Sequence, residues 1–250
     1  MANRPWYEDA DFWENWAPYL FDSTRLNNAI GEVDQLVRLL HLTPGSEVLD
    51  VCCGPGRHAV ELASKGYRVT GVDQVHSYLD QARRRAKERQ VELGLIESDV
   101  QRLNLLPHYD VAINMFSSFG YYPTQEYDVM FAANIYRALK SGGRFVVETD
   151  GKEILARDFR SRDWYRHEDE TISLHERKIL DGWEFLESHW SMIRHGQIVF
   201  ESTIVQRIYS GLELRQILER VGFRDVVLHG GLDGTPYDHA ARRLVAIAGK

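Results

Sequence analysis

Two periodicities of apolar and polar residues succeed one another along this chain, and the change falls at Asp150-Gly151. Before it, short apolar runs of strand length alternate with stretches of helical spacing, the pattern of βαβ units and a parallel sheet. The runs are Val48 to Val51, Arg68 to Asp73, Val91 to Val100, Tyr109 to Phe116 and Arg144 to Glu148. Helix stops precede two of them, at Gly66 and at Ser141-Gly142-Gly143. Upstream, Ile30, Val33, Leu36, Val37 and Leu40 predict a helix over 27–40, and Phe12, Trp16 and Tyr19 fit one face of an earlier helix.

After the change the period becomes two. Residues 171–180, 183–193 and 197–209 alternate, with Asp181-Gly182 and His195-Gly196 as tight turns, which predicts an inserted antiparallel meander. Ser210 with Glu213 is a capping box that opens a helix through Val221, closed by Gly222, and 223–229 and 243–248 read as the last two strands. The expected organisation is one domain: an N-terminal helical aromatic flap over 1–42, a core made of 43–150 and 210–250, and a substrate-side insertion over 151–209.

The chemistry concentrates where the first strand meets its turn, Asp50-Val51-Cys52-Cys53-Gly54-Pro55-Gly56-Arg57-His58. In an open α/β sheet this turn receives a nucleotide-like cofactor, and glycine lets backbone N–H groups approach it. Gly54 to Ala59 also fits G-x-G-x-x-A, so a dinucleotide is the competing ligand. A carboxylate at the mouth of the turn repels a pyrophosphate and attracts an ammonium. Asp50 therefore favours S-adenosylmethionine over a nicotinamide dinucleotide. Asp73, about twenty residues on, stands where a ribose-binding acid belongs. Asp99 ends the third run, placed to accept a hydrogen bond from an exocyclic amine such as that of adenine.

With these residues in view, the chain resembles the class I S-adenosylmethionine-dependent methyltransferases through the glycine motif, Asp73, Asp99 and Leu139-Lys140-Ser141-Gly142-Gly143-Arg144-Phe145, over roughly 45–150 and 210–249. The resemblance implies an α/β, Rossmann-like, doubly wound seven-stranded mixed sheet, mostly parallel with its last strand antiparallel. It also implies a cofactor site made of Asp50, Cys52, Gly54, Gly56, His58, Asp73, Gln74, Tyr78, Asp99, Val100, Asn114, Met115 and Ser117, with S-adenosyl-L-homocysteine as product. Met115 to Tyr121 is similar to the corresponding loop of amino-sugar N-methyltransferases.

Composition narrows the partners. At 44% hydrophobic and 27% charged the 250 residues suit one globular core, and a net charge of −7 argues against nucleic acid, which binds mainly through Lys and Arg. The basic cluster Arg83-Arg84-Arg85 with Lys87 and Arg89 reads as a solvated helix face. With no apolar run of membrane length, and Met1 to Trp6 unlike a signal peptide, the expected partner is a small-molecule acceptor and the expected compartment the cytoplasm. Cys52 and Cys53 are adjacent and alone, so neither a disulfide nor a metal site is expected.

For the acceptor, the expected lining is Tyr19, Phe119, Tyr121, Tyr122, Asp150, His189 and Arg207, with Trp190 beside His189; no residue is assigned a catalytic role, because methyl transfer needs positioning more than a base. These aromatics, together with the loop's resemblance to that of amino-sugar N-methyltransferases, imply a small, partly aromatic or amine-bearing acceptor. Two rivals remain open. Tyr136-x-x-x-Lys140 fits a short-chain dehydrogenase, and a non-catalytic S-adenosylmethionine-binding scaffold would share the same turn.

Overall fold

The computed structural model describes residues 5–250; Met1 to Arg4, the first part of the expected flap, lie outside the described residues. Its central sheet runs β3 (Gly94–Glu97), β2 (Arg68–Asp73), β1 (Glu47–Val51), β4 (Tyr109–Asn114), β5 (Leu139–Thr149), β11 (Leu244–Gly249), β10 (Arg224–His229). β1 to β5 are mutually parallel, and β11 is antiparallel to both neighbours. The order reverses between β1 and β4, which opens a crevice at the strands' C-terminal ends.

Strand alternation sorts the core. On β1, Leu49 and Val51 face one cluster with Phe131 and Ile135 of α5 (Gln125–Ala138) and Leu214 and Leu218 of α7 (Gly211–Val221). Val48 faces the other, with Val33, Leu36 and Leu40 of α2 (Ser23–Leu40) and Leu62 of α3 (Arg57–Ser64). Helices thus cover both faces, with α4 (His76–Glu88) following β2. α2 starts earlier than its apolar period predicts because Asp22 caps it, accepting the Arg25 N–H at 2.8 Å. β3 is shorter than predicted because Val91 N–H closes the end of α4 on the Ala86 carbonyl.

The insertion is a separate antiparallel sheet in the order β6 (Arg162–Arg166), β7 (Ile172–Leu180), β8 (Phe185–Arg194), β9 (Gln197–Arg207). Its first strand and the short α6 (Lys152–Asp158) before it had no periodic signal: β6 is a five-residue edge strand with exposed side chains. α1 (Ala10–Leu20) buries Phe12, Trp16 and Tyr19 against Met192 and Ile204 of this second sheet. Among the described residues no helix is long and apolar enough to cross a membrane.

Candidate functional site

β1 ends in a tight path: Cys52, Gly54 and Gly56 all take left-handed backbone (φ 59°, 55° and 76°) before α3 begins. At Gly56 a Cβ would stand 2.8 Å from the Cβ of Ala82, so only glycine lets α3 approach α4. The Gly54 N–H donates to Asp73 Oδ2 at 2.8 Å and the Val75 N–H to Asp73 Oδ1 at 2.9 Å, which ties the ends of β1 and β2 together. Burial pushes the Asp73 carboxyl up to about 6 despite those N–H donors.

Asp50 is 2% exposed, and its Oδ2 has no hydrogen-bond partner. Burial pushes its carboxyl up to about 7, opposed by the Arg57 charge and reinforced by Asp73. Arg57 and His58 are held by Glu32 of α2, whose Oε2 lies 2.6 Å from Arg57 Nη1 and 2.6 Å from His58 Nε2. Arg25 differs: it meets the Leu20 carbonyl at 3.3 Å and stacks its guanidinium 4.8 Å from the Phe116 ring centre, and no described carboxylate lies within 4.0 Å of it.

Asp99 accepts the Tyr122 hydroxyl at 2.6 Å and the Gln101 N–H at 2.9 Å. The N-terminal segment closes over this slot: Tyr7 sets its ring edge-on to Tyr122 at 5.2 Å, Gln74 Nε2 donates to the Tyr7 carbonyl, and the Tyr78 hydroxyl donates to the Trp13 carbonyl. Past β4, Phe116 and Ser117 both adopt left-handed backbone (φ 67° and 61°). That costly shape is held by Glu148, which accepts the Phe116 N–H at 2.6 Å, and by Arg243, which grips Glu148, Asp150 and the Ser117 hydroxyl.

One cavity of about 1070 Å³ runs from Asp50, Asp73 and Asp99, past Arg25, Phe116 and Ser117, to the inner face of the second sheet. Of the expected cofactor residues, Asp50, Cys52, Gly54, His58, Asp73, Gln74, Tyr78, Asp99, Val100, Met115 and Ser117 line it. Gly56 and Asn114 do not: Gly56 packs on α4, and Asn114 is fully buried, donating to the Val51 carbonyl across the sheet. Of the expected acceptor residues, Tyr19, Tyr121, Tyr122 and Asp150 line the cavity, while Phe119, His189 and Arg207 are elsewhere. Phe119 stacks on Phe131 in the core. Arg207 is buried against Glu184 and the Pro123 carbonyl. His189 faces outward to Thr203 and Glu201, because the inner face of β8 carries Leu186, Ser188 and Trp190.

Sequence reasoning missed Arg25, Ser173, His175, Arg177, Ser188, Gln206 and Arg243, all lining residues. The alternation of β7 and β8, set by buried Ser173, Ser188 and Met192, was the signal that picks the inner face. Tyr136 and Lys140 line no part of the cavity. Tyr136 packs on Phe223, and Lys140 pairs with Asp110 at 2.8 Å, so the dehydrogenase pair has no site.

A parallel sheet whose strand order reverses, a glycine turn, and acids at or near the C-terminal ends of β1, β2 and β3 make a crevice of the kind that receives nucleotide-like ligands in open α/β folds. Residues 48–143 match the family model described as a methyltransferase domain. It is 33% identical over 137 residues to the S-adenosyl-L-methionine-dependent Diels-Alderase iccD of Talaromyces variabilis, covering 53% of this chain and 44% of that protein. It is 26% identical to the dTDP-3-amino-3,4,6-trideoxy-alpha-D-glucopyranose N,N-dimethyltransferase of Streptomyces venezuelae, over 76% of this chain and 80% of that one. The chain spans less than half the length of the first curated relatives it matches. The fold is shared with an S-adenosylmethionine-dependent methyltransferase from Clostridium acetobutylicum at a TM-score of 0.75 and 16% identity, covering 96% of this chain and 97% of that chain.

Proposed function

We propose that this protein transfers a methyl group from S-adenosylmethionine to a small-molecule acceptor. The carrying observation is the pairing of opposite charges in one cavity: buried Asp50, whose Oδ2 has no hydrogen-bond partner, and the guanidinium of Arg25, which has no described carboxylate within 4.0 Å. That pair suits the ammonium and carboxylate of an amino acid, and the three acids disfavour a pyrophosphate. Asp73 would hold the ribose hydroxyls through the lone pairs its two N–H partners leave free, and Asp99 the adenine amine. When bound, the cofactor supplies an electrophilic methyl on a sulfonium.

The chain's own residues supply placement. Glu148 and Arg243 fix Phe116 and Ser117 between the two halves of the cavity, so an acceptor seated there is oriented before reaction. Trp6, Tyr7, Trp13 and Tyr121 cover the cleft with aromatic surface that excludes water. We assign 151–209, with the N-terminal helices, as the acceptor-side wall.

Calorimetric titration with S-adenosylmethionine, S-adenosylhomocysteine and NADH tests the cofactor, and the expected result is binding of the first two only. Incubation with S-adenosylmethionine and a pool of small metabolites, read by mass spectrometry, should yield S-adenosylhomocysteine and a product heavier by one methyl. Binding without any such conversion would instead support the scaffold reading.

A further inference from the structure

Two guanidinium groups rest on the ring of Phe116: the Cζ of Arg25 lies 4.8 Å from the ring centre and that of Arg57 5.0 Å. All three residues line the cavity. The two cations differ in what else holds them. Arg57 Nη1 is paired with Glu32 at 2.6 Å, whereas Arg25 has no described carboxylate within 4.0 Å and its guanidinium meets the Leu20 carbonyl at 3.3 Å. Asp22 beside it is engaged elsewhere, its Oδ1 accepting the Arg25 main-chain N–H at 2.8 Å. Burial pushes the Arg25 guanidinium down from its ordinary value, a bias that Asp22 opposes and that the charges of Arg57 and Arg243 deepen.

An aromatic face is a particular kind of support for a cation. It attracts a guanidinium through its quadrupole and offers no lone pair to take up the N–H donors. A carboxylate in the same place would fix Arg25 and also satisfy it. Contact with Phe116 instead leaves those donors for a carboxylate from outside the chain. The backbone supports the same reading. Phe116 holds φ 67°, a left-handed conformation that is costly for a bulky residue and sterically free for glycine. Glu148 secures it: Oε2 accepts the Phe116 N–H at 2.6 Å, and the main-chain carbonyl accepts the Ser117 N–H at 3.1 Å. Strain of this sort collects where a side chain is needed in one place.

We infer that Phe116 is a positioning residue for the cofactor: its ring aims the Arg25 guanidinium at the cofactor's carboxylate and so favours S-adenosylmethionine over nucleosides that lack the amino-acid portion. This rests on the methyltransferase reading of the cavity and on Arg25 as the carboxylate's partner.

The test is calorimetric titration of the full chain with S-adenosylhomocysteine and with 5′-methylthioadenosine, which lacks the amino acid. Phe116→Leu removes the aromatic face and keeps an apolar side chain, and Phe116→Tyr keeps the face. Phe116→Gly removes the ring while suiting the backbone, and it serves should the leucine variant melt early. Phe116→Leu and Phe116→Gly should weaken S-adenosylhomocysteine by about threefold to thirtyfold, the span of a cation–π contact. Phe116→Tyr should weaken it by less than about twofold, and 5′-methylthioadenosine should stay within about twofold throughout. In an Arg25→Gln background, Phe116→Leu should cost no more than about twofold further. Equal losses for both ligands, a loss in Phe116→Tyr as large as in Phe116→Leu, no loss in any variant, or a Phe116→Leu loss undiminished beside Arg25→Gln overturn the inference, while wild-type binding of S-adenosylhomocysteine leaves the cofactor reading intact. Failure of the wild type to bind S-adenosylhomocysteine overturns both.

Discussion

The Gly54 N–H and the Asp73 carboxylate meet at 2.8 Å, so the acid expected to hold a ribose also holds the glycine turn in place. Both of its oxygens already accept backbone N–H groups, and a ribose would use the lone pairs that remain. Asp73→Ala should therefore act twice. S-adenosylhomocysteine affinity should fall by about 1.5–3 kcal/mol, and stability by about 1–3 kcal/mol from a buried N–H left without an acceptor. Calorimetry and thermal melts read the two effects, and an unchanged dissociation constant would contradict the cofactor assignment.

Asp50 gives the site a pH signature. Its carboxyl is raised from 3.8 to about 7 by burial, so without ligand the native state holds this proton more tightly than the unfolded chain does. Stability from this group is then lost as pH rises from about 4 to about 7. A ligand ammonium reverses the balance, since it favours the ionised form. Affinity for S-adenosylhomocysteine should climb with pH by up to about tenfold per unit below about 7 and flatten above it. Asp50→Asn should bind more weakly at neutral pH and flatten the slope between about 6 and about 7, where Asp73 is already largely ionised, and in that window titrations in buffers of different ionisation heat should show more proton release on binding for wild type than for the variant.

A variant of Arg25 tests the proposed amino-acid end of the cofactor site separately from its nucleoside end. Its guanidinium rests on Phe116 with no described carboxylate within 4.0 Å. Arg25→Gln should weaken S-adenosylhomocysteine by about tenfold or more, the scale of a hydrogen bond between charged groups. Binding of 5′-methylthioadenosine, which lacks the amino-acid portion, should be nearly unchanged. Equal losses for both ligands would remove Arg25 from the carboxylate role.

The parallel half of the fold was legible because local signals agreed there. The apolar runs of β1, β2 and β4, the stop at Gly66 and the capping box at Ser210 each mark an element that is present. Asp50, Asp73 and Asp99 were legible as lining residues because the C-terminal ends of neighbouring parallel strands, and the turns just beyond them, open on one crevice. The acceptor wall was not. There the decision between His189 and Trp190 depends on which face of β8 is covered, and that is fixed by α1, whose Phe12 and Trp16 pack against the Trp190 side of the strand from a distant part of the chain. Arg25 was hidden for a similar reason: its side chain acquires meaning from Phe116, which only the strained path after β4 brings to it.

The junction between the two sheets yields a last prediction at Gly120, in the loop after β4. Its φ of 100° lies in the region that favours glycine, and a Cβ there would fall 2.3 Å from the Arg207 carbonyl oxygen. The Arg207 N–H donates back to the Gly120 carbonyl at 2.8 Å, so the loop and the end of β9 cannot separate without losing that bond. Beside it, Gln206 Nε2 donates to the Ser117 carbonyl at 2.7 Å. Gly120→Ala thus combines backbone strain with overpacking and should cost about 2–6 kcal/mol, from roughly 1–3 for each effect. Because displacement here pulls on Ser117, the surviving folded protein should also position an acceptor poorly. Thermal denaturation should show a lower midpoint, and turnover should fall more than S-adenosylhomocysteine affinity does; a melt matching wild type would mean the loop and β9 are not locked together at this point.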